Sequence, residues 1–287
     1  MMISDITLGQ FFPGRSPIHR LDPRTKIILA TIFIVAVFVA ANPVSFALLT
    51  LVTVVLVAMS RISFKVILKS IKPIVFIIIF TAILNVFMTK GEGDPLVSFW
   101  IINIYEEGIA RALMMAIRVI ILIVGTSIML TYTTSPISLT DGLESLLSPF
   151  KKIGLPVHTF AMMMSIALRF IPTLIEETEK IMNAQKSRGA DFTSGSLVDR
   201  AKSLIPLLVP LFVSSFKRAE ELATAMECRC YRGDKNRTKL VKLQYRGLDF
   251  GYMSVFALLL AGIICLAILP YNIESFGILY DILFYRV

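Results

Sequence analysis

Histidine and cysteine are scarce in this chain: two His and three Cys in 287 residues. Three cysteines cannot make a disulfide framework, so Cys228, Cys230 and Cys265 are expected as reduced thiols. A Cys-x-Cys metal site at Cys228 and Cys230 lacks further ligands, because His19 and His158 lie far off in sequence and no other thiol is near; no metal is expected. Also missing are a glycine-rich phosphate loop, a zinc-protease helix and a serine elbow, and strand alternation is almost absent. A soluble enzyme domain on a membrane anchor would carry some of these, so neither ATP hydrolysis nor a cofactor is expected of this chain. The first 25 residues have no compact apolar core and run instead into Arg15-Ser16-Pro17-Ile18-His19-Arg20; no secretory signal is expected, and the first span should direct insertion.

Charge is scarce too, at 17% of residues against 56% hydrophobic, which places the chain among integral membrane proteins. Uncharged runs cover 27–60, 73–89, 119–140 and 250–273. A spanning helix needs roughly 20 mostly apolar residues, and the first run is long enough for two short spans broken at Asn42-Pro43. Five spans follow, at about 26–42, 44–60, 72–89, 110–134 and 250–271.

Lys and Arg mark the cytoplasmic loops. The segment up to Lys26 carries Arg15, Arg20, Arg24 and Lys26, and the 61–72 connection carries Arg61, Lys65, Lys69 and Lys72 with no acid. The 90–107 loop has Lys90 against Glu92, Asp94, Glu106 and Glu107, and the tail has Glu274 and Asp281 against Arg286. An amino terminus inside and a carboxyl terminus outside satisfy every loop, and leave 135–248 cytoplasmic with 17 basic and 11 acidic residues. The net +9 is then mostly topology, and no nucleic-acid partner is expected.

Within 135–248 the pattern is helical throughout. Ser135-Pro136 opens a short amphipathic helix. A second helix follows Pro156 as far as about Lys186, with Pro172 expected to kink it, and a third runs from about Leu197 to Tyr231 with Pro206 and Pro210 early. Each long helix reaches roughly 45 Å at about 1.5 Å per residue. So few residues cannot close a globular core around such helices; their apolar faces need each other, the spans or another protein. The two long segments end alike, in Ala184-Gln185-Lys186-Ser187-Arg188-Gly189-Ala190 and Ala225-Met226-Glu227-Cys228-Arg229-Cys230-Tyr231-Arg232-Gly233.

Those two ends, with Ser16-Pro17-Ile18-His19-Arg20-Leu21-Asp22-Pro23-Arg24-Thr25-Lys26 and Leu168-Arg169-Phe170-Ile171-Pro172, resemble the transmembrane T component of energy-coupling factor transporters over nearly the whole chain. The resemblance implies that each helix end presents an Ala-Arg-Gly-type tripeptide whose arginine docks into one of two ABC-type ATPases. Here these are Ser187-Arg188-Gly189 and Cys228-Arg229-Cys230, with Ser187 and Cys228 standing where the family has alanine and Cys230 where it has glycine. It further implies a small substrate-binding membrane protein, the S component, as passenger; ATP and Mg held by the partner ATPases and none here; and vitamin or metal-ion uptake across a prokaryotic cell membrane. Met162, Met163, Met164 and Met182 are candidates for touching the S component, since methionine repacks readily against different partners; packing on the neighbouring helix is the alternative.

A guanidinium always carries its charge and offers five donors in a rigid fork, which suits an interface anchor; a cationic helix cap is the plainer role. Arg118, within the fourth span, is read as structural. Asp22-Pro23-Arg24 is expected to stop the amino-terminal segment and seat it at the headgroups, and Glu176, Glu177 and Glu179 to form a solvated face; Arg232, Lys235, Arg237 and Lys239 read as a solvated or headgroup face. The expected architecture is all-α and polytopic: four spans in 1–134, a coupling domain of three helices in 135–248, two of them long and crossing, and a last span with its tail in 249–287. The alternatives are a membrane-embedded enzyme using the cytoplasmic carboxylates or thiols, and a self-sufficient channel or carrier, for which no inverted repeat is visible.

Overall fold

Proline sets the starts of the first two helices. α1 spans Pro23–Val39 and α2 Pro43–Ser60, each with proline in its first turn, where the missing N–H leaves no bond unmade. Asp22 caps α1 by accepting from the Arg24 amide at 2.9 Å, and Asn42 takes the N-cap position of α2, so the break falls at Asn42-Pro43 as expected. The computed structural model describes residues 11–88, 97–99, 102–190, 192, 196–231, 233 and 243–268. The carboxyl-terminal tail, half of the 90–107 loop and the basic residues Arg232, Lys235, Arg237 and Lys239 lie outside the described residues.

The 61–72 connection turns out to be mostly helix. α3 (Phe64–Ile71) passes through a 3-10 turn at Lys72–Ile74 into α4 (Val75–Met88), giving one 25-residue helix over Phe64–Met88. Phe64, Ile67, Leu68 and Ile71 recur at helical spacing and bury Ile67, while Lys65, Lys69 and Lys72 take the other side; the basic residues therefore mark a helix face and not a loop. A two-stranded antiparallel hairpin follows, β1 (Val97–Phe99) on β2 (Ile102–Ile104), with Val97 opposite Ile104. It is a minor departure from an otherwise all-α chain. α5 (Glu106–Thr126) then continues through a π-helical stretch, Ser127–Tyr132, and α9 (Gly247–Ile268) closes the unit formed by the described residues of 11–134 and 244–268.

Contacts fix the direction of each helix in this unit. α1 runs antiparallel to α5: Lys26 Nζ donates to the Thr133 carbonyl at 2.7 Å, Phe33 faces Gly125, and Arg118 Nη2 donates to the Ala40 carbonyl at 2.7 Å. Gly108, at the start of α5, packs on the backbone of Asn85 and Val86, so α4 and α5 are antiparallel. α1 and α9 are parallel, joined at Asp22 and Asp249, at the Phe33 and Phe256 rings 6.5 Å apart, and at Asn42 and Leu266. The chain thus leaves this unit after Thr134 and re-enters it at Gln244 at the same end.

α1 lies at the centre. Phe33, Ala36 and Val37 are fully buried with Leu49, Ile128 and Ile263. Five described helices are long and apolar enough to cross a membrane: Pro43–Ser60, Phe64–Met88, Gly108–Tyr132, Val157–Ser187 and Gly247–Ile268. This is an all-α, polytopic membrane protein. Two assignments differ from the sequence expectation. α1 keeps the expected 17 residues but starts and ends three residues earlier, at Pro23–Val39, because the Asp22 cap sets its start and the chain turns extended at Ala40 before the Asn42-Pro43 break. The helix at Val157–Ser187 joins the apolar set because its first half carries only Arg169 and His158 among charged or titratable residues.

The second described unit holds α6 (Pro136–Leu147), α7 (Val157–Ser187) and α8 (Leu197–Cys228). Ser135 caps α6, accepting from the Ser138 amide at 3.2 Å, and Ser196 and Asp199 form a capping box at the start of α8. His158 Nδ1 and Glu144 Oε1 sit 2.8 Å apart and tie α7 to α6. The third helix stops at Cys228, three residues before the expected Tyr231, because Cys230 turns left-handed.

Candidate functional site

Each long helix ends on an arginine, and the two ends share one backbone design. Arg188 is the C-cap of α7 with φ −89° and ψ 6°; Arg229 is the C-cap of α8 with φ −88° and ψ 14°. The next residue is left-handed in both, Gly189 at φ 89° and Cys230 at φ 56°. The Gly189 amide donates to the Lys186 carbonyl at 2.9 Å and the Ala190 amide to Gln185 at 3.0 Å; the Cys230 amide donates to Glu227 at 2.8 Å and the Tyr231 amide to Met226 at 3.0 Å. These are the two bonds of a Schellman motif, made twice with the same spacing. The tripeptide has a backbone logic: the third position must turn left-handed, the middle residue is the last one the helix holds, and the first completes the final turn. Glycine meets the left-handed requirement freely at 189, while Cys230 adopts it with a side chain.

All six tripeptide residues, Ser187, Arg188, Gly189, Cys228, Arg229 and Cys230, are exposed, so both guanidinium groups stand at helix tips within reach of a partner. Cys228 and Cys230 are free thiols, and no group of three His, Cys, Asp or Glu among the described residues could hold a metal ion. The two tips are not brought together. The carboxyl-terminal half of α8, through Leu222, Ala223 and Met226, runs back along the amino-terminal half of α7, through Ile166 and Phe170, around a cleft of about 260 Å³. The long helices therefore cross with their arginines on opposite sides of the crossing.

One polar cluster holds that crossing, and sequence reasoning missed it. Glu177 on α7 accepts from the Ser214 hydroxyl at 3.0 Å through one oxygen and pairs with the Arg218 guanidinium through the other. Glu177 is thus an interhelical residue and not part of a solvated face, whereas Glu176 is exposed as expected. The available signal was an equal offset: Glu177 precedes Arg188 by 11 residues, and Arg218 precedes Arg229 by 11.

Met163 and Met164 are exposed at 53% and 40%, and Met162 and Met182 are half-buried; Met182 lies 18 residues beyond Met164, so the four do not form one patch. The larger apolar surface of this unit is on α8, where Leu208, Phe212, Val213 and Phe216 are each about 60% exposed and the Phe212 and Phe216 rings lie 4.6 Å apart.

Residues 14–240 match the model of the CbiQ family, described as cobalt transport protein. The chain is 51% identical over 268 residues to the energy-coupling factor transporter transmembrane protein EcfT of Clostridium kluyveri, covering 93% of this chain and 97% of the relative. It is 54% identical over 248 residues to the EcfT of Ruminiclostridium cellulolyticum, covering 86% of this chain and 92% of the relative, and 50% identical over 248 residues to that of Bacillus subtilis, covering 86% and 93%. The chain belongs to the EcfT family. It is an energy-coupling component of a transporter, and the all-α, polytopic build of an EcfT protein fits the five apolar helices.

In this EcfT-family chain, Arg118 and Asp22 have clear structural tasks. Arg118 stacks over the Phe46 ring at 5.1 Å and donates to the free carbonyl at the end of α1, joining α5 to α1 and α2 where a charge must be matched. Asp22 is 7% exposed, and its amide donates to Asp249 Oδ1 at 2.9 Å. The Asp22-Pro23-Arg24 turn is therefore packed into the helix bundle, where the sequence suggested a seat at the headgroups; a carboxylate on α9 supplies the partner that no local spacing reveals.

Proposed function

We propose that this chain is the membrane scaffold and force-transmitting subunit of an ATP-driven vitamin or metal-ion importer, with no chemistry of its own. Arg188 and Arg229 each anchor one ABC-type ATPase, and ATP and Mg are bound by those partners. The observation that carries this reading is the repeated helix end: two arginines in one backbone setting, both exposed, are what two copies of a related pocket would accept. ATP-driven closure of the ATPase pair moves the tips toward each other, and the helices carry that motion to an S component resting on their apolar faces, through the Met162, Met163 and Met164 turn, Met182 and the Phe212 and Phe216 stripe.

The direction of the helices supports a cytoplasmic location for both arginines in a prokaryotic cell membrane. α1 and α9 are parallel, with α2, the Phe64–Met88 helix and α5 between them as three crossings; a lone further crossing by α7 would make α9 antiparallel to α1. α7 is accordingly read outside the spanning set, which leaves five spans, an amino terminus inside and a carboxyl terminus outside.

The test is co-purification. The unmodified chain brings down two ATPase subunits, and Arg188→Glu together with Arg229→Glu abolishes their capture while the S component stays bound. An intact, ATP-hydrolysing complex after both substitutions overturns the docking role.

A further inference from the structure

The crossing of α7 and α8 combines one directional contact with an otherwise loose fit. Glu177 receives Ser214 and Arg218, its side chain 26% exposed and that of Arg218 35% exposed. Beside it, Ile166, Phe170 and Leu174 face Ala219, Leu222, Ala223 and Met226 across the 260 Å³ cleft. Apolar faces separated by a cleft set no unique crossing angle, since dispersion is non-directional and small residues let one helix slide on another. One guanidinium nitrogen on one carboxylate oxygen and a hydroxyl on the other do fix a point. The position of that point is specific. It lies 11 residues, close to three helical turns, before Arg188 on one helix and before Arg229 on the other. Each arginine therefore sits on an arm of about 16 Å, on nearly the same helix face as the fixed point, with the two arms extending to opposite sides.

We propose that Glu177, with Arg218 and Ser214, is the pivot on which the two coupling helices turn as equal arms. The three are positioning residues: they touch neither nucleotide nor substrate, and they convert a rotation at the crossing into equal travel at the two ATPase sites. On arms of this length a rotation of about 10° moves each tip by about 3 Å. This inference rests on the docking reading for its purpose, but the pivot itself is a property of the chain.

Pulsed electron-electron spin resonance on the assembled transporter in nanodiscs tests it. Labels go on Asn183→Cys and Thr224→Cys, exposed positions each five residues before a tip arginine, with Cys228→Ala, Cys230→Gly and Cys265→Ala removing the native thiols. The expected result is one narrow label distance that shifts on adding ATP with vanadate. Glu177→Gln should broaden the resting distribution and cut the ATP-driven shift at least twofold, while the ATPases still co-purify and hydrolyse ATP. The exchanged pair Glu177→Arg with Arg218→Glu should restore both width and shift. An unchanged distribution in Glu177→Gln overturns the pivot, and so does a shift lost only in proportion to the ATPase lost from the complex. Failure of the docking reading shows separately, as absence of ATPase from the unsubstituted chain, and leaves the label width as a test of the pivot.

Discussion

Arg188 and Arg229 occupy the same place in two copies of one helix-ending motif, each followed by a left-handed residue that makes the same backbone bond. The copies differ where that residue is glycine in one and cysteine in the other. A side chain in the left-handed region costs on the order of 1 kcal/mol. Cys230→Gly should therefore firm the last turn of α8, slowing amide hydrogen exchange at Cys230 and Tyr231 by about fivefold. Gly189→Ala should loosen the α7 end by a similar factor, and because nothing lies within 4 Å of its missing side chain the effect is one of backbone strain alone.

Gly125 allows α5 to pack on α1. A methyl group there would come within 2.2 Å of Phe33 Cε1, and Phe33 has no free space to retreat into, being fully buried. Gly125→Ala should lower stability by about 2 kcal/mol in thermal unfolding in detergent, with Phe33→Leu recovering part of the loss. The double substitution being no better than the single would show that the clash is relieved elsewhere.

Arg118 ends α1 by proxy, giving a guanidinium donor to the Ala40 carbonyl. Arg118→Leu should destabilise by about 2 kcal/mol, the usual worth of a hydrogen bond to a charged group. Arg118→Lys should recover only part, because an ammonium lacks the planar face that lies over Phe46. Arg118→Lys melting together with the parent chain would assign the whole effect to charge, and Arg118→Lys melting together with Arg118→Leu would assign it to the guanidinium plane.

Asp249 accepts from two backbone amides, Asp22 at 2.9 Å and Arg246 at 2.7 Å, and is 1% exposed. Asn can accept through one atom only, leaving a buried amide facing an amide, so Asp249→Asn should cost about 2 kcal/mol. Urea unfolding monitored by intrinsic fluorescence provides the measurement, and a midpoint unchanged from the parent chain contradicts the assignment.

The spans, the Asn42-Pro43 break and the three helices of the second unit were legible because each rests on local pattern: apolar runs, proline in a first turn, Ser135 and Ser196 as caps. The tip arginines were legible because a motif occurs twice. What could not be read was long-range. Lys65, Lys69 and Lys72 look the same on a helix face as in a loop until Ile67 finds its core. Glu177 looks solvated beside Glu176 and Glu179 until Arg218, 41 residues on, reaches it. Asp22 meets Asp249 across 227 residues, and no periodicity records such a pairing. The left-handed turn at Cys230 was hidden for a different reason, since cysteine does not advertise the conformation that glycine does.

The first helix is fastened at both ends by the last. Asp22 waits for Asp249, and Asn42, whose side chain donates to the Leu266 carbonyl at 2.8 Å, waits for residues near the far end of α9. A ribosome making this chain releases α1 into the bilayer more than 200 residues before its partner exists, at a synthesis rate of about 5–20 residues per second. For those tens of seconds the earliest span is the least finished one. Premature termination anywhere before α9 leaves it so for good, and cellular quality control has an unmated helix start to find.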